Sequence, residues 1–195
     1  MEDESAILMQ KEIDNTVEVL KSGGSILYPT DTIWGIGCDA TNAKAVEKVY
    51  KIKRRSETRS LIVLVEKAED VSMYAEDVPE IVFDIMESIK DPLTIIYQKG
   101  KNLAKAVLAS DGSVAIRVVK DEFCKGVIHK LGRPITSSSA NISGEPSPLC
   151  FNRVSESILK SVDYVVNLRQ KGFGSVKQST MIRIAPNGEI QVVRS

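Results

Sequence analysis

The 195 residues carry 26 Lys plus Arg against 26 Asp plus Glu, a formal net charge of zero, so no whole-molecule field argues for nonspecific binding to nucleic acid. At 195 residues the chain is long enough to bury one sizeable core, and its 43% hydrophobic content is ordinary for a globular protein, which predicts a single domain. Three widely spaced cysteines, Cys38, Cys124 and Cys150, fit a reducing compartment better than a disulfide framework. One histidine, His129, without a close cysteine pair, argues against a structural or catalytic zinc site, and no other metal site is legible. The acidic start, Met1 to Ser5, does not read as a signal peptide, and no apolar stretch approaches the roughly 18 residues of a membrane helix. The expectation is a cytoplasmic protein with no membrane partner.

In chain order, Met9 to Lys21 predicts a helix, with Ile13, Val17 and Leu20 at helical spacing and a stop at Gly23-Gly24. A short strand, Ser25 to Tyr28, leads into Pro29-Thr30-Asp31-Thr32-Ile33-Trp34-Gly35, read as a strand-to-loop connection with Trp34 as a core anchor. Ala43 to Lys53 is helical, and Leu61 to Val65 is a continuous apolar run that suits a central strand covered on both faces. A helix over Pro79 to Ser88 follows, then strands at Leu93 to Tyr97 and Val114 to Val118. A further helix spans Asp121 to Leu131, with His129 near its end as a dipole partner, and a strand lies near Pro134 to Ser137. Strands at Asp163 to Asn167, Thr180 to Ile184 and Glu189 to Val193 close the chain, the last two joined by a Pro186-Asn187-Gly188 hairpin turn. The terminal hairpin argues for an α/β domain around a mixed sheet over a purely parallel, doubly wound one.

Two segments carry the strongest chemical signal. Lys51 to Arg59 holds five cations and one anion, more positive charge than a helix C-terminus requires, and those cations repel one another unless an anion joins them. Phosphate suits such a cluster, with Arg offering forked donors and Lys a point charge. The second segment, Ser137 to Pro148, is rich in hydroxyls and turn formers, with Ala140 and Ile142 interleaved as if packed against the body. Neither a GxGxxG fingerprint nor a P-loop is present. Arg117 sits inside an apolar strand, either on the solvent face, which pattern alone favours, or as a buried anchor for a carboxylate. Gly172 to Gly174 reads as a mobile loop before Ser179-Thr180.

Seven motifs in order resemble the YrdC-type threonylcarbamoyl-AMP synthases, and the likeness runs from about Ile7 to Arg194. They are Tyr28-Pro29-Thr30-Asp31-Thr32-Ile33-Trp34-Gly35, Lys53-x-Arg55, Leu61-Ile62-Val63, Pro92-Leu93-Thr94, Val114-x-Ile116-Arg117-Val118, Ser138-Ser139-Ala140-Asn141 with Gly144-x-Pro146-Ser147-Pro148, and Ser179-Thr180. The resemblance implies a single YrdC-like domain over 7–195: a twisted open mixed sheet flanked by helices, with a concave basic ligand-binding face. It implies an enzyme that joins L-threonine, bicarbonate or CO2, and ATP into threonylcarbamoyl-AMP, with Mg2+ carried mainly by ATP. The product serves a downstream transfer complex that makes N6-threonylcarbamoyladenosine at position 37 of tRNAs reading codons that start with A, and tRNA itself is a possible partner. By the family's pattern Lys53, Arg55, Arg59, Ser113, Ser139, Asn141, Ser147 and Arg194 belong with ATP, Lys53 and Arg55 being the catalytic pair. Thr32, Leu64 (through its backbone), Arg117, Ser137 and Ser179 belong with threonine. The chain departs from that pattern where Ser56 follows Arg55 in place of proline, where Trp34 replaces tyrosine, where Asp91 replaces glycine and where Gln178 replaces glutamate. Two other readings stand beside this one: a module binding tRNA or double-stranded RNA, and a nucleotide-binding regulator with an altered amine substrate.

Overall fold

The continuous apolar run that ends in Ile62–Val65 forms a strand in the middle of one sheet, paired in parallel with Val114–Val118, and the rest of the architecture is arranged around them. The computed structural model describes residues 2–55, 60–171, 177–185 and 187–195. Its strands are β1 (Ile26–Tyr28), β2 (Gly35–Gly37), β3 (Ile62–Val65), β4 (Leu93–Tyr97), β5 (Val114–Val118), β6 (Ile135–Ser139), β7 (Tyr164–Val165), β8 (Thr180–Ile184) and β9 (Ile190–Arg194). Among the described residues they form a mixed sheet of order β7-β1-β2-β6-β3-β5-β4-β8-β9. The pairs β1/β7, β3/β5 and β4/β8 are parallel and the others antiparallel. The mixed sheet expected from the terminal hairpin is present.

The helices are α1 (Glu2–Lys21), α2 (Ala43–Lys53), α3 (Val71–Tyr74), α4 (Ile81–Ser88), α5 (Glu122–Leu131) and α6 (Glu156–Ser161). Sequence chemistry sets their ends. Asn42 caps α2 by accepting from the Ala45 amide, Asp121 caps α5 by accepting from the Cys124 amide, and Gly132 ends α5 in the left-handed region at φ 69°. Arg54 ends α2 at φ 48°, an uncommon conformation for a residue with a Cβ, and the chain bends there so that Arg55 leaves the helix direction.

Successive strand residues point to opposite faces, and the two faces are covered differently. On one face, Leu27, Ile36, Val63, Val65, Ile95, Ile116, Ile182 and Ile184 pack beneath α2, α3, α4 and α6. On the other, α1 and α5 cover Ile26, Tyr28, Leu64 and Ile135 through Ile13, Val17, Leu20, Phe123, Val127 and Leu131. Their cover stops short of β4, β8 and β9, and the uncovered floor is the candidate site.

Three expectations differ from the fold. The first helix begins at Glu2 rather than Met9, the strand expected over 163–167 is two residues long, and Gly35-Ile36-Gly37 is a strand instead of loop. Ile36 is fully buried between β1 and β6, and a Cβ on Gly37 would come within 2.0 Å of the Thr136 carbonyl oxygen. Close approach of β6 therefore demands glycine where strand propensity disfavours it. Among the described residues no helix is long and apolar enough to cross a membrane.

Candidate active site

The open half of the sheet forms the floor of a cavity of about 640 Å³. Strand register arranges that floor in rows. One row runs from Leu64 through Arg117, Thr94 and Met181 to Arg194. The next runs from Ser137 through Ile62, Ala115 and Ile96 to Arg183. Ser60, Ser113 and Ser139 line the cavity beyond it, and Thr32, Ile33, Trp34 and Gly35 form a wall. Arg55, Arg117, Arg183 and Arg194 are all lining residues, and no Asp or Glu is among them. Among the described residues the carboxylates nearest these cations are Asp31, 3.2 Å from Arg117, and Asp111, 3.8 Å from Arg183.

Arg117 overturns the solvent-face reading. It is 3% exposed, with Asp31 of the β1–β2 loop set against its guanidinium. Its Nη2 lies 3.2 Å from Asp31 Oδ1, yet the pair makes no hydrogen bond: Nε and Nη2 of Arg117 and Oδ1 of Asp31 are buried without partners. A buried guanidinium with two unfilled donors is costly unless a planar anion supplies forked acceptors. Arg194 adds to the positive charge. It donates to the Ser179 carbonyl at 3.2 and 2.9 Å and to Ser179 Oγ at 3.2 Å, and burial together with the nearby Arg117 lowers its pKa. Ser179 Oγ is 2.7 Å from Thr94 Oγ1, which fixes the hydroxyl at the cavity edge.

Thr32 has a readable proton arrangement. Thr30 Oγ1 donates to the Ile33 carbonyl at 2.8 Å and accepts from the Thr32 amide at 3.0 Å. Its single proton is used, so the 2.9 Å contact between the two hydroxyls has Thr32 as donor. The lone pairs of Thr32 Oγ1 are left to accept, as from an amine.

On the opposite flank, Arg55 donates from Nη1 to Ser138 Oγ at 3.1 Å and from Nη2 to the Ser60 carbonyl at 2.8 Å. Lys53 takes a different place from Arg55. It is 2% exposed and stands outside the cavity wall, its Nζ donating to the carbonyls of Ser139 and, at 2.7 Å, Asn141. Burial, and then repulsion from Arg55, pushes its pKa down to about 7. Asn141 also stays out of the wall: its amide nitrogen donates to the Ile142 carbonyl at 3.0 Å and the Glu145 carbonyl at 2.7 Å, stapling the turn. The hydroxyl-rich segment is thus packed and braced, as Ala140 (1% exposed) and Ile142 suggest.

Of the residues singled out from sequence, Thr32, Arg55, Ser113, Arg117, Ser137, Ser139, Ser179 and Arg194 line one cavity. Lys53 and Asn141 stand behind it, and the fully buried Leu64 side chain packs into the α1/α5 core. Ser147 is held at 3.4 Å by Gln178, itself a lining residue. Arg59 and the Gly172–Gly174 segment lie outside the described residues. Sequence reasoning passed over Asp31, Ser138 and Arg183. Alternation along β8 was the usable signal for Arg183, since it shares parity with Ser179 and Met181. His129 is exposed on the last turn of α5, 3.3 Å from Glu66 and away from the cavity.

The fold is an open mixed α/β sheet whose uncovered face gathers arginines and hydroxyls in one cavity. A family model named Sua5_yciO_yrdC, described as "Telomere recombination", matches residues 18–195. The chain belongs to that family. It is 29% identical to the threonylcarbamoyl-AMP synthase of Pseudoalteromonas translucida, over 93% of this chain and 97% of that protein. It is 30% identical to the enzyme of the same name from Xanthomonas oryzae pv. oryzae, over 91% and 95% respectively. Its fold superposes on P. abyssi Sua5 complexed with L-threonine with a TM-score of 0.80 at 26% identity, covering 88% of this chain and 50% of that one.

Proposed function

We propose that this chain is an L-threonylcarbamoyladenylate synthase, making threonylcarbamoyl-AMP and pyrophosphate from L-threonine, bicarbonate or CO2, and ATP. The observation that carries the reading is Arg117, a buried guanidinium with unfilled donors at one end of a cavity whose other flank presents Arg55. One end suits an α-carboxylate and the other a phosphate chain.

The chemistry follows from that division. Threonine's carboxylate takes the forked donors of Arg117, and its amine lies against a lone pair of Thr32 Oγ1, with Ser137 and Ser179 beside them. The threonine ammonium gives one proton to bulk water to become the free amine, and addition of the amine nitrogen to the CO2 carbon releases a second proton to water and leaves a carbamate. A carbamate oxygen then attacks the α-phosphorus of ATP in line, forming the O–P bond as the bond to the β-phosphate oxygen breaks and pyrophosphate leaves. Both partners are anions, so the protein's work is to neutralise charge and hold geometry, effects worth roughly 7–11 kcal/mol when orientation is good.

Arg55, with Ser113 and Ser139, addresses the nucleotide. Lys53 acts from behind by holding the carbonyls of Ser139 and Asn141, so that its charge supports the nucleotide flank without lining it. Among the described residues no group of three or more His, Cys, Asp or Glu could hold a metal ion, which favours magnesium arriving as part of the MgATP substrate. The product, a mixed anhydride, passes to a transfer complex that modifies N6 of adenosine 37 in tRNAs reading codons that start with A, and the cytoplasm is the compartment where those partners meet.

The test is pyrophosphate release by the purified protein with MgATP, bicarbonate and threonine. Release that depends on all three, with serine and valine much poorer than threonine, supports the assignment. Binding of ATP and threonine with no threonine-dependent release rejects it.

A further inference from the structure

We propose that Arg183 is an additional nucleotide-binding residue and that Asp111 sets its strength. The inference rests on the reading of the cavity as the site for ATP and an amino acid. Arg183 lies on β8 opposite Ile96 of β4, which is opposite Ala115 of β5, so its backbone stands two strand spacings, about 10 Å, from the middle of the floor. It faces Arg55 across that floor, and both line the cavity. A phosphate chain lying between them is gripped from two sides.

Arg183 is poised rather than used up. Its Nη1 is 3.8 Å from Asp111 Oδ2, too long for a hydrogen bond, with side chains 39% and 60% exposed. Exposed ion pairs of this kind are weak, whereas charge-assisted contacts from guanidinium to phosphate are short, often forked and stronger. Asp111 does not depend on Arg183 to stay in place. Its Oδ1 accepts from the Ser113 amide at 3.0 Å, and hydrogen bonding from the Ser113 side chain, then from that amide, with the Arg183 charge a smaller contribution, lowers its pKa. Ser113 itself is a cavity residue, so Asp111 is anchored at the rim beside the site. An incoming phosphate competes with one loosely held carboxylate for Arg183, and removing that carboxylate favours the phosphate.

The substitutions therefore act in opposite directions. Calorimetric titration of the full chain with MgATP is expected to show Arg183→Gln weakening binding about tenfold and Asp111→Asn tightening it about two- to threefold. The double variant is expected to match Arg183→Gln, Arg183→Lys to recover part of the loss, and adenosine, which lacks phosphates, to bind all variants alike. Unchanged MgATP affinity in Arg183→Gln, or weakening by Asp111→Asn, overturns the assignment while leaving the synthase reading intact. A wild-type protein that binds no MgATP overturns both.

Discussion

One face of the sheet has two halves built on the same pleat, and they differ in what each strand sends outward. Beneath α1 and α5 the outward residues are Ile26, Tyr28, Leu64 and Ile135, all fully buried in an apolar cluster. From two residues further along β6 to three strands beyond β3, the same parity delivers Ser137, Arg117, Met181 and Arg183 into an open cavity. The alternation is identical, and only the presence of a helix overhead separates core from site. Leu64 and Arg117 are direct register partners, so in that row the boundary falls between β3 and β5, while along β3 and β6 it falls between Leu64 and Ile62 and between Ile135 and Ser137. Stability should reside in the covered half and ligand discrimination in the open one.

Leu64→Ala gives the largest test of the covered half. Deleting a fully buried leucine is expected to cost about 2–5 kcal/mol of unfolding free energy, with the KM for threonine unchanged in protein that remains folded. A raised KM with little loss of stability would place the Leu64 side chain in the site and erase the boundary.

Lys53 marks the open half's dependence on buried charge. With a folded pKa of about 7 against an ordinary 10.5, the folded protein releases a proton that the unfolded chain still holds between those values. Stability attributable to Lys53 therefore rises with pH across that window and is flat below about pH 7. Comparing unfolding of wild type and Lys53→Met at pH 6.5 and 9.5, the difference should shift in favour of wild type by on the order of 3 kcal/mol. A difference independent of pH would mean that the ammonium keeps its proton throughout.

Arg117→Gln probes the boundary from the other side. Loss of a charge-assisted contact to a carboxylate, about 1.5–3 kcal/mol, is expected to lower kcat/KM for threonine by about 10- to 100-fold while MgATP binds as before. Equal losses for both ligands would mean that Arg117 holds the floor together rather than one substrate. Asp31→Asn in the same background removes the carboxylate that Arg117 would leave unpaired, and so separates a folding defect from a binding one.

How much of this was open to sequence reasoning depended on what each residue's signal could carry. The helix over Ala43–Lys53 and the strands at Leu93–Tyr97, Val114–Val118 and Thr180–Ile184 were readable because their periodicity and caps are local properties. Gly35–Gly37 was not, because its strand state comes from β6 pressing against a glycine 98 or more residues earlier in the chain, a constraint no local pattern holds. Arg117 misled for a related reason: alternation identifies the face opposite the core but not whether that face meets water or a roofed cavity. The motifs brought eight candidate residues to one cavity, yet could not tell Arg55, which lines it, from Lys53, which braces it two residues earlier. That distinction arises at Arg54, where the left-handed turn redirects the chain.

The smallest expected effect is at Thr32, and it tests the proton arrangement itself. Because Thr30 donates to the Ile33 carbonyl and accepts from the Thr32 amide, those two bonds survive loss of the Thr32 hydroxyl and keep the loop in place. Thr32→Val then removes one acceptor for the substrate amine without disturbing the wall, a net hydrogen bond of about 0.5–1.5 kcal/mol. The expected result is a threefold to tenfold fall in kcat/KM for threonine, unchanged KM for ATP, and near-full recovery in Thr32→Ser. If valine is tolerated with no loss, the amine finds its acceptor elsewhere, and the open half discriminates its ligand by carboxylate alone.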